Sequence, residues 1–181
     1  MIHLVAVGEG VNPDRLDLLA AELARIFQVS CHVRHEAVDA RFARDTERLQ
    51  YHSTAILKRL SELVCDPGVR LLGVTALDLF VPIFTFVFGE AQLEGHCAVV
   101  SFYRLGEERY GLAPDETKLN QRLAKEAVHE LGHTFGLRHC DDWRCVMASS
   151  HSVERLDLKS VDLCEFCARI VFNGAGTPAG E

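Results

Sequence analysis

Apolar and polar positions along the chain follow two periods. IHLVAVG (Ile2 to Gly8) is almost unbroken apolar sequence, the pattern of a strand covered on both faces. Asn12 and Pro13 then open a segment in which Leu16, Leu19, Ala20, Leu23 and Ile26 return at helical intervals, with Asn12 placed as the cap. VSCHVRHEAV (Val29 to Val38) alternates and predicts a second strand. Leu49, Ile56, Leu57, Leu60, Leu63 and Val64 share one side of a longer helical run that stops at Asp66-Pro67-Gly68. VRLLGVTALDL, PIFTFVFG and HCAVVSFYRL are rich in β-branched and aromatic residues and predict three successive strands.

A loop from Gly106 to Asp115 leads into TKLNQRLAKEAVHELGHTFG. Leu119, Leu123, Ala127, Leu131 and Phe135 recur every four residues there, and His129 and His133 fall away from that stripe on the same helix. A final helix is predicted roughly from Asp157 to Phe172, and GAGTPAGE closes the chain as a loose tail. The order β-α-β-α-β-β-β-α, then a loop and a helix, predicts an α/β fold of α+β-like character, a mixed sheet with helices packed on it.

Composition narrows the class. The 181 residues are 48% hydrophobic and 25% charged, as in one folded domain with a core of its own. A net charge of −7 weighs against a nucleic-acid partner, which needs a clustered basic surface. The most apolar stretch, Val74 to Gly89, is too short for a bilayer and is interrupted by Asp78 and Pro82. With no basic leader at the N-terminus, the expectation is a cytoplasmic protein without a membrane partner. Seven cysteines, an odd number, argue against a disulfide framework.

The chemistry concentrates in HELGHTFGLRHC, His129 to Cys140. His129 and His133 stand one helical turn apart and can close on a single ion from one face. Glu130, turned about 100° round the helix from His129, suits a base acting on water better than a ligand. Gly136 can adopt the left-handed conformation that ends the helix and swings His139 back to the same ion. Three neutral imidazoles leave a zinc ion with an open fourth position, the arrangement of a catalytic site.

Cys140 follows the third histidine without a spacer. Cys140 with Cys145, and Cys164 with Cys167, form two close pairs, the spacing of a closed structural zinc site with four thiolates. Adjacent residues of an extended segment point opposite ways, so His139 can face one ion and Cys140 another. Two disulfides, a [4Fe–4S] cluster, or Cys140 as a fourth ligand of the first ion are the competing readings.

HELGHTFGLRH followed by the CVM of Cys145 to Met147 resembles the metzincin metallopeptidases. Cysteine directly after the third histidine, CxxxxCxM and the later CxxC resemble the archaemetzincins among them, and Leu72 to Leu105 is also similar to that family. The resemblance implies a metzincin-type twisted mixed five-stranded sheet with one antiparallel edge strand, between Leu93 and Leu105, that aligns a peptide above the cleft. It implies one catalytic domain over 1–181: a sheet-and-helix part (1–136), a C-terminal part (137–174) whose helix a structural zinc pins, and a tail (175–181). It assigns His129, His133 and His139 as catalytic-zinc ligands, Glu130 as general base and Met147 as the methionine of the turn beneath the metal. Some metzincins carry a tyrosine two residues after that methionine; here the position is Ser149. Nothing ahead of Ile2 can cap a zinc ion, so no inhibitory leader is expected.

The expected activity is hydrolysis of peptide bonds by water that zinc activates, with two zinc ions per chain and a peptide or protein as substrate. The sequence separates neither endopeptidase from aminopeptidase action nor one oligomeric state from another. The alternative is a zinc-stabilised protein- or peptide-binding module with little or no peptidase activity. An RNA-processing class with HxxxHxxxxxH lacks the glutamate present here as Glu130. A thermolysin-like site would draw a distant third ligand such as Glu154.

Overall fold

In a computed structural model that describes residues 1–173, the chain runs through β1 (Ile2–Val7), α1 (Pro13–Phe27), β2 (Cys31–Val33), β3 (Arg44–Asp45), β4 (Gln50–His52) and α2 (Ser53–Ser61). It continues through β5 (Arg70–Thr75), β6 (Leu79–Phe80), β7 (Gly89–Ala91), β8 (Cys97–Ser101), α3 (Glu116–Thr134), α4 (Val153–Leu158) and α5 (Glu165–Asn173). The tail read from the sequence lies outside the described residues.

The apolar runs of β1, β5 and β8 form the middle of a five-stranded sheet of order β2-β1-β5-β8-β7. All pairs are parallel except β7–β8, so the sheet is mixed with one antiparallel edge, as expected. Successive residues serve opposite faces. Leu4, Leu72, Val74, Ala98 and Val100 pack with α1 and α3, while Val7, Leu71, Cys97 and Val99 pack with Ile56, Leu57 and Leu60 of α2. Helices therefore cover both faces, and a small sheet of order β3-β4-β6 flanks α2. No helix among the described residues is long and apolar enough to cross a membrane.

Several predicted boundaries move. The antiparallel edge is β7 at Gly89–Ala91, not a strand between Leu93 and Leu105; the strand in that interval, β8, is paired on both sides and lies inside the sheet. PIFTFVFG is a loop rather than a strand, except that its last residue, Gly89, begins β7. Pro82 has no N–H to donate, and Arg48 and Gln50 occupy the loop's carbonyls: Arg48 bonds Phe84 O at 2.8 Å and Gln50 bonds Thr85 O at 2.9 Å. The second strand shrinks to Cys31–Val33, and α2 starts only at Ser53, because Leu49 sits at φ 56° and is 68% exposed. The single final helix is two helices, α4 and α5, broken by a segment that buries Lys159.

Candidate metal centres and active-site cleft

Helix α3 carries the first two histidines. Asp115 caps it by accepting from the Lys118 amide at 2.9 Å. Its other end closes on Gly136, at φ 87°, with Leu137 N bonded to Gly132 O at 3.1 Å and Gly136 N to His133 O at 3.0 Å. That pair of bonds is a Schellman closure, which needs a left-handed residue at Gly136. The chain then doubles back. His129, His133 and His139 each bring a ring nitrogen within 4.8 Å of the others.

α3 is not the one-sided helix its stripe suggested. From Glu126 to Gly132 every residue is buried, because β7 and β8 of the sheet lie on one side of the helix while α1, α4 and the segment around Met147 pack on the others.

His129 and His133 are each held in one tautomer. His129 Nδ1 lies 2.9 Å from Val146 O, and His133 Nδ1 lies 2.7 Å from Leu137 O. A carbonyl can only accept, so both Nδ1 atoms carry the proton and both Nε2 atoms present bare lone pairs. Those two Nε2 atoms face each other at 3.2 Å. Two lone pairs at that distance repel unless a cation lies between them. Zn–N bonds of about 2.0–2.1 Å in a tetrahedron set nitrogens about 3.3 Å apart, so the donor set fits zinc. Burial pulls the pKa of His129 down to about 3, with Lys159 adding to the shift, and burial also lowers His133 and His139. Neutral imidazole is the ligand form.

A second cluster begins with the residue after His139. Cys140, Cys145, Cys164 and Cys167 bring their sulfurs within 4.8 Å of one another. Cys140 Sγ and Cys164 Sγ stand 3.8 Å apart. A disulfide needs about 2.05 Å, whereas four Zn–S bonds of about 2.3 Å place sulfurs about 3.8 Å apart. Thiols converging on one point leave room for one ion, not for a cubane with an iron at each sulfur. Cys140 thus stands with the other cysteines and not with the histidines.

The cleft beside the histidines has a volume of about 300 Å³ and is lined by Phe84 to Gly89, Glu126, His129, Glu130, His139 and Ser149 to His151. Glu130 is buried, and β7 passes so close that a Cβ on Gly89 would stand 2.6 Å from Glu130 Cγ. Burial pushes the Glu130 carboxyl well above its usual range, helped by Glu126 and Glu90 and opposed by Lys159. Met147 is fully buried against α3, where a Cβ on Gly132 would overlap its sulfur. Glu154 is exposed at the start of α4 and is not among the residues that gather with the histidines.

Sequence reasoning missed part of this site. Glu126, Gly89, the Phe84–Phe88 wall, His151 and Lys159 were not singled out. Glu126 could have been found, since it stands four residues before Glu130 and so shares its face.

Comparison with known proteins agrees with this geometry. The profile of peptidase family M54 matches residues 21–173. The chain is 39% identical over 170 residues to an archaemetzincin of Methanocaldococcus jannaschii, covering 93% of this chain and 90% of that one. A solved zinc-dependent peptidase of Methanocorpusculum labreanum superposes with a TM-score of 0.86 at 28% identity, over 94% of this chain and 100% of that one. The archaemetzincin of Archaeoglobus fulgidus, solved with malonate, superposes with a TM-score of 0.79 at 37% identity, over 94% and 99%. The chain therefore belongs to peptidase family M54, the archaemetzincin zinc metallopeptidases.

Proposed function

We propose that the chain hydrolyses peptide bonds at the three-histidine site, with Glu130 as general base and a second, structural zinc at the four cysteines. His129, His133 and His139 would hold the catalytic zinc. Zinc there supplies Lewis acidity, polarising a carbonyl oxygen and lowering the pKa of a bound water toward about 7. The carboxylate of Glu130 takes a proton from the attacking water and returns it to the amine nitrogen as the C–N bond breaks. Burial favours the protonated carboxyl; a dication held by the histidines would favour the carboxylate and leave Glu130 ready to accept. The free side of β7 offers backbone groups on which an extended substrate aligns above the cleft. Unpaired thiols at the cysteine cluster support a cytoplasmic placement, where reducing conditions keep them available to a metal.

The facing Nε2 atoms at 3.2 Å, both with Nδ1 committed to carbonyls, carry this reading. Metal counting on the purified chain tests it. Two zinc ions per chain are expected, one removed readily by chelator with loss of hydrolysis. Glu130→Gln should keep both ions and slow hydrolysis of a peptide library by about 10²–10⁴-fold. Parental turnover in that variant overturns the role of Glu130. One tightly held zinc and no hydrolysis in the parent would favour the binding module.

A further inference from the structure

Lys159 is a buried cation that the hydrolytic scheme does not use. Its side chain is 1% exposed. Nζ donates to Val146 O and to Ala148 O at 2.8 Å each and lies 3.9 Å from Glu126 Oε1. The two acceptors flank Met147. Val146 O has a second donor, because His129 Nδ1–H reaches it at 2.9 Å. Both lone pairs of that carbonyl are therefore filled, one from Lys159 and one from a histidine of the metal site.

The turn from Val146 to Ala148 is gripped from two directions. Met147 presses against Gly132 of α3, one turn beyond His129. Lys159 holds the carbonyls from the other side, and Cys140 N bonds Met147 O at 3.0 Å. Burying an ammonium group is costly, and an apolar residue of the same length would not incur that cost. The carbonyl bonds and the Glu126 carboxylate offset that cost, so a charge placed here acts on what it holds.

We propose that Lys159, with Glu126 as counter-charge, is a positioning residue for the catalytic metal site. It fixes the Val146–Ala148 turn so that the Val146 carbonyl selects the Nδ1–H tautomer of His129 and aims its Nε2 at the metal. Lys159 touches neither substrate nor metal; it acts through Val146. Groups one step behind metal-binding histidines commonly change metal affinity by 10–100-fold when removed, by about that range across known sites. The inference rests on the zinc reading of His129, His133 and His139 only for its affinity arm.

The full chain carrying Lys159→Met, which keeps side-chain length without donors or charge, is compared with the parent and with the double variant Glu126→Gln/Lys159→Met. Chelator competition reads the zinc dissociation constant of the weaker site. Histidine-ring ¹H–¹⁵N spectra of the metal-free chain read the exchange protection of the His129 Nδ1 proton. Lys159→Met should raise the dissociation constant about 10-fold and lower the proton's protection measurably, and the double variant should stay defective in both. Should Lys159→Met fail to fold, Lys159→Gln replaces it with the same two readouts. Parental affinity and parental protection in the single variant overturn the proposal, even with a lowered Tm, since that combination marks a merely structural lysine. Recovery of both in the double variant also overturns it, because charge balance and not the grip on the turn would then be at work. If the parent's histidines take up no zinc, the zinc reading fails while the proton readout still decides the role of Lys159.

Discussion

Gly89 has no side chain, and the space a Cβ would need is taken. In Gly89→Ala the new carbon would stand 2.6 and 2.9 Å from Cγ and Cδ of Glu130 and 2.7 Å from the carbonyl oxygen of Val99. Glu130 can swing aside, but the Val99 oxygen belongs to β8, whose residues pair with β5 and β7 and cannot give independently. An unstrained carbon–oxygen contact needs about 3.3 Å, so β7 must retreat by roughly 0.6 Å. Overpacking of this kind costs about 1–3 kcal/mol. At about 2–4 °C per kcal/mol for a chain of this size, Tm should fall by about 2–12 °C. The larger effect falls on activity, because relief comes most cheaply by displacing Glu130. Moving a catalytic group by about 1 Å can cost about 10² in rate, and that loss is expected in kcat/KM on a peptide substrate. Zinc content should not change, since no histidine or cysteine of either cluster is among the atoms nearest that Cβ. Parental kcat/KM in a folded Gly89→Ala chain would show that the carboxylate held under Gly89 does not move the proton.

Gly136→Ala places a side chain at φ 87° with its Cβ 3.3 Å from Glu94 Cγ; at about 1–2 kcal/mol of backbone strain, Tm should drop by about 2–8 °C and zinc affinity at the histidines should weaken. Gly111→Ala is its control: at φ 78° with nothing within 4 Å of the Cβ, it should lower Tm similarly and leave zinc and turnover unchanged. Cys167→Ser should lose the tightly held zinc and lower Tm by at least about 10 °C, since structural zinc sites supply folding free energy directly; equal zinc content in that variant would refute the four-thiolate site. Asp157 is held below its ordinary pKa chiefly by hydrogen bonds from Arg122. A depressed carboxyl stabilises the fold above its unfolded pKa of about 3.9 and loses that contribution as pH falls through the folded value, so the Tm gap between the parent and Asp157→Asn should close below about pH 4.

What could be read from the sequence follows a simple rule of distance along the chain. His129 and His133 share a face because a helix has a fixed period, and Gly136 turns the chain within three residues; all of that is local geometry. The cysteine spacing was legible for the same reason, since each pair closes over a few residues. The buried strand β1 was legible as an apolar run, whereas the sheet's order with one antiparallel edge came only from the family resemblance. The boundaries failed where a tertiary contact outweighed local propensity. Aromatic PIFTFVFG has every propensity for a strand, yet Arg48, Gln50 and Arg104 hold it as the cleft wall, with Arg104 over the Phe86 ring at 4.3 Å. The residues that control the histidines and Glu130 are hidden for a related reason: Gly89 lies 41 positions before Glu130 and Lys159 lies 13 after Val146. The proposed ligand set is written by period, whereas the surroundings that hold His129 and Glu130 are written by register between β7 and β8 and by the break between α4 and α5. Two chains with the same histidine motif can therefore share a metal and differ in rate, and the difference should be sought at positions such as Gly89, Glu126 and Lys159, which no spacing rule marks.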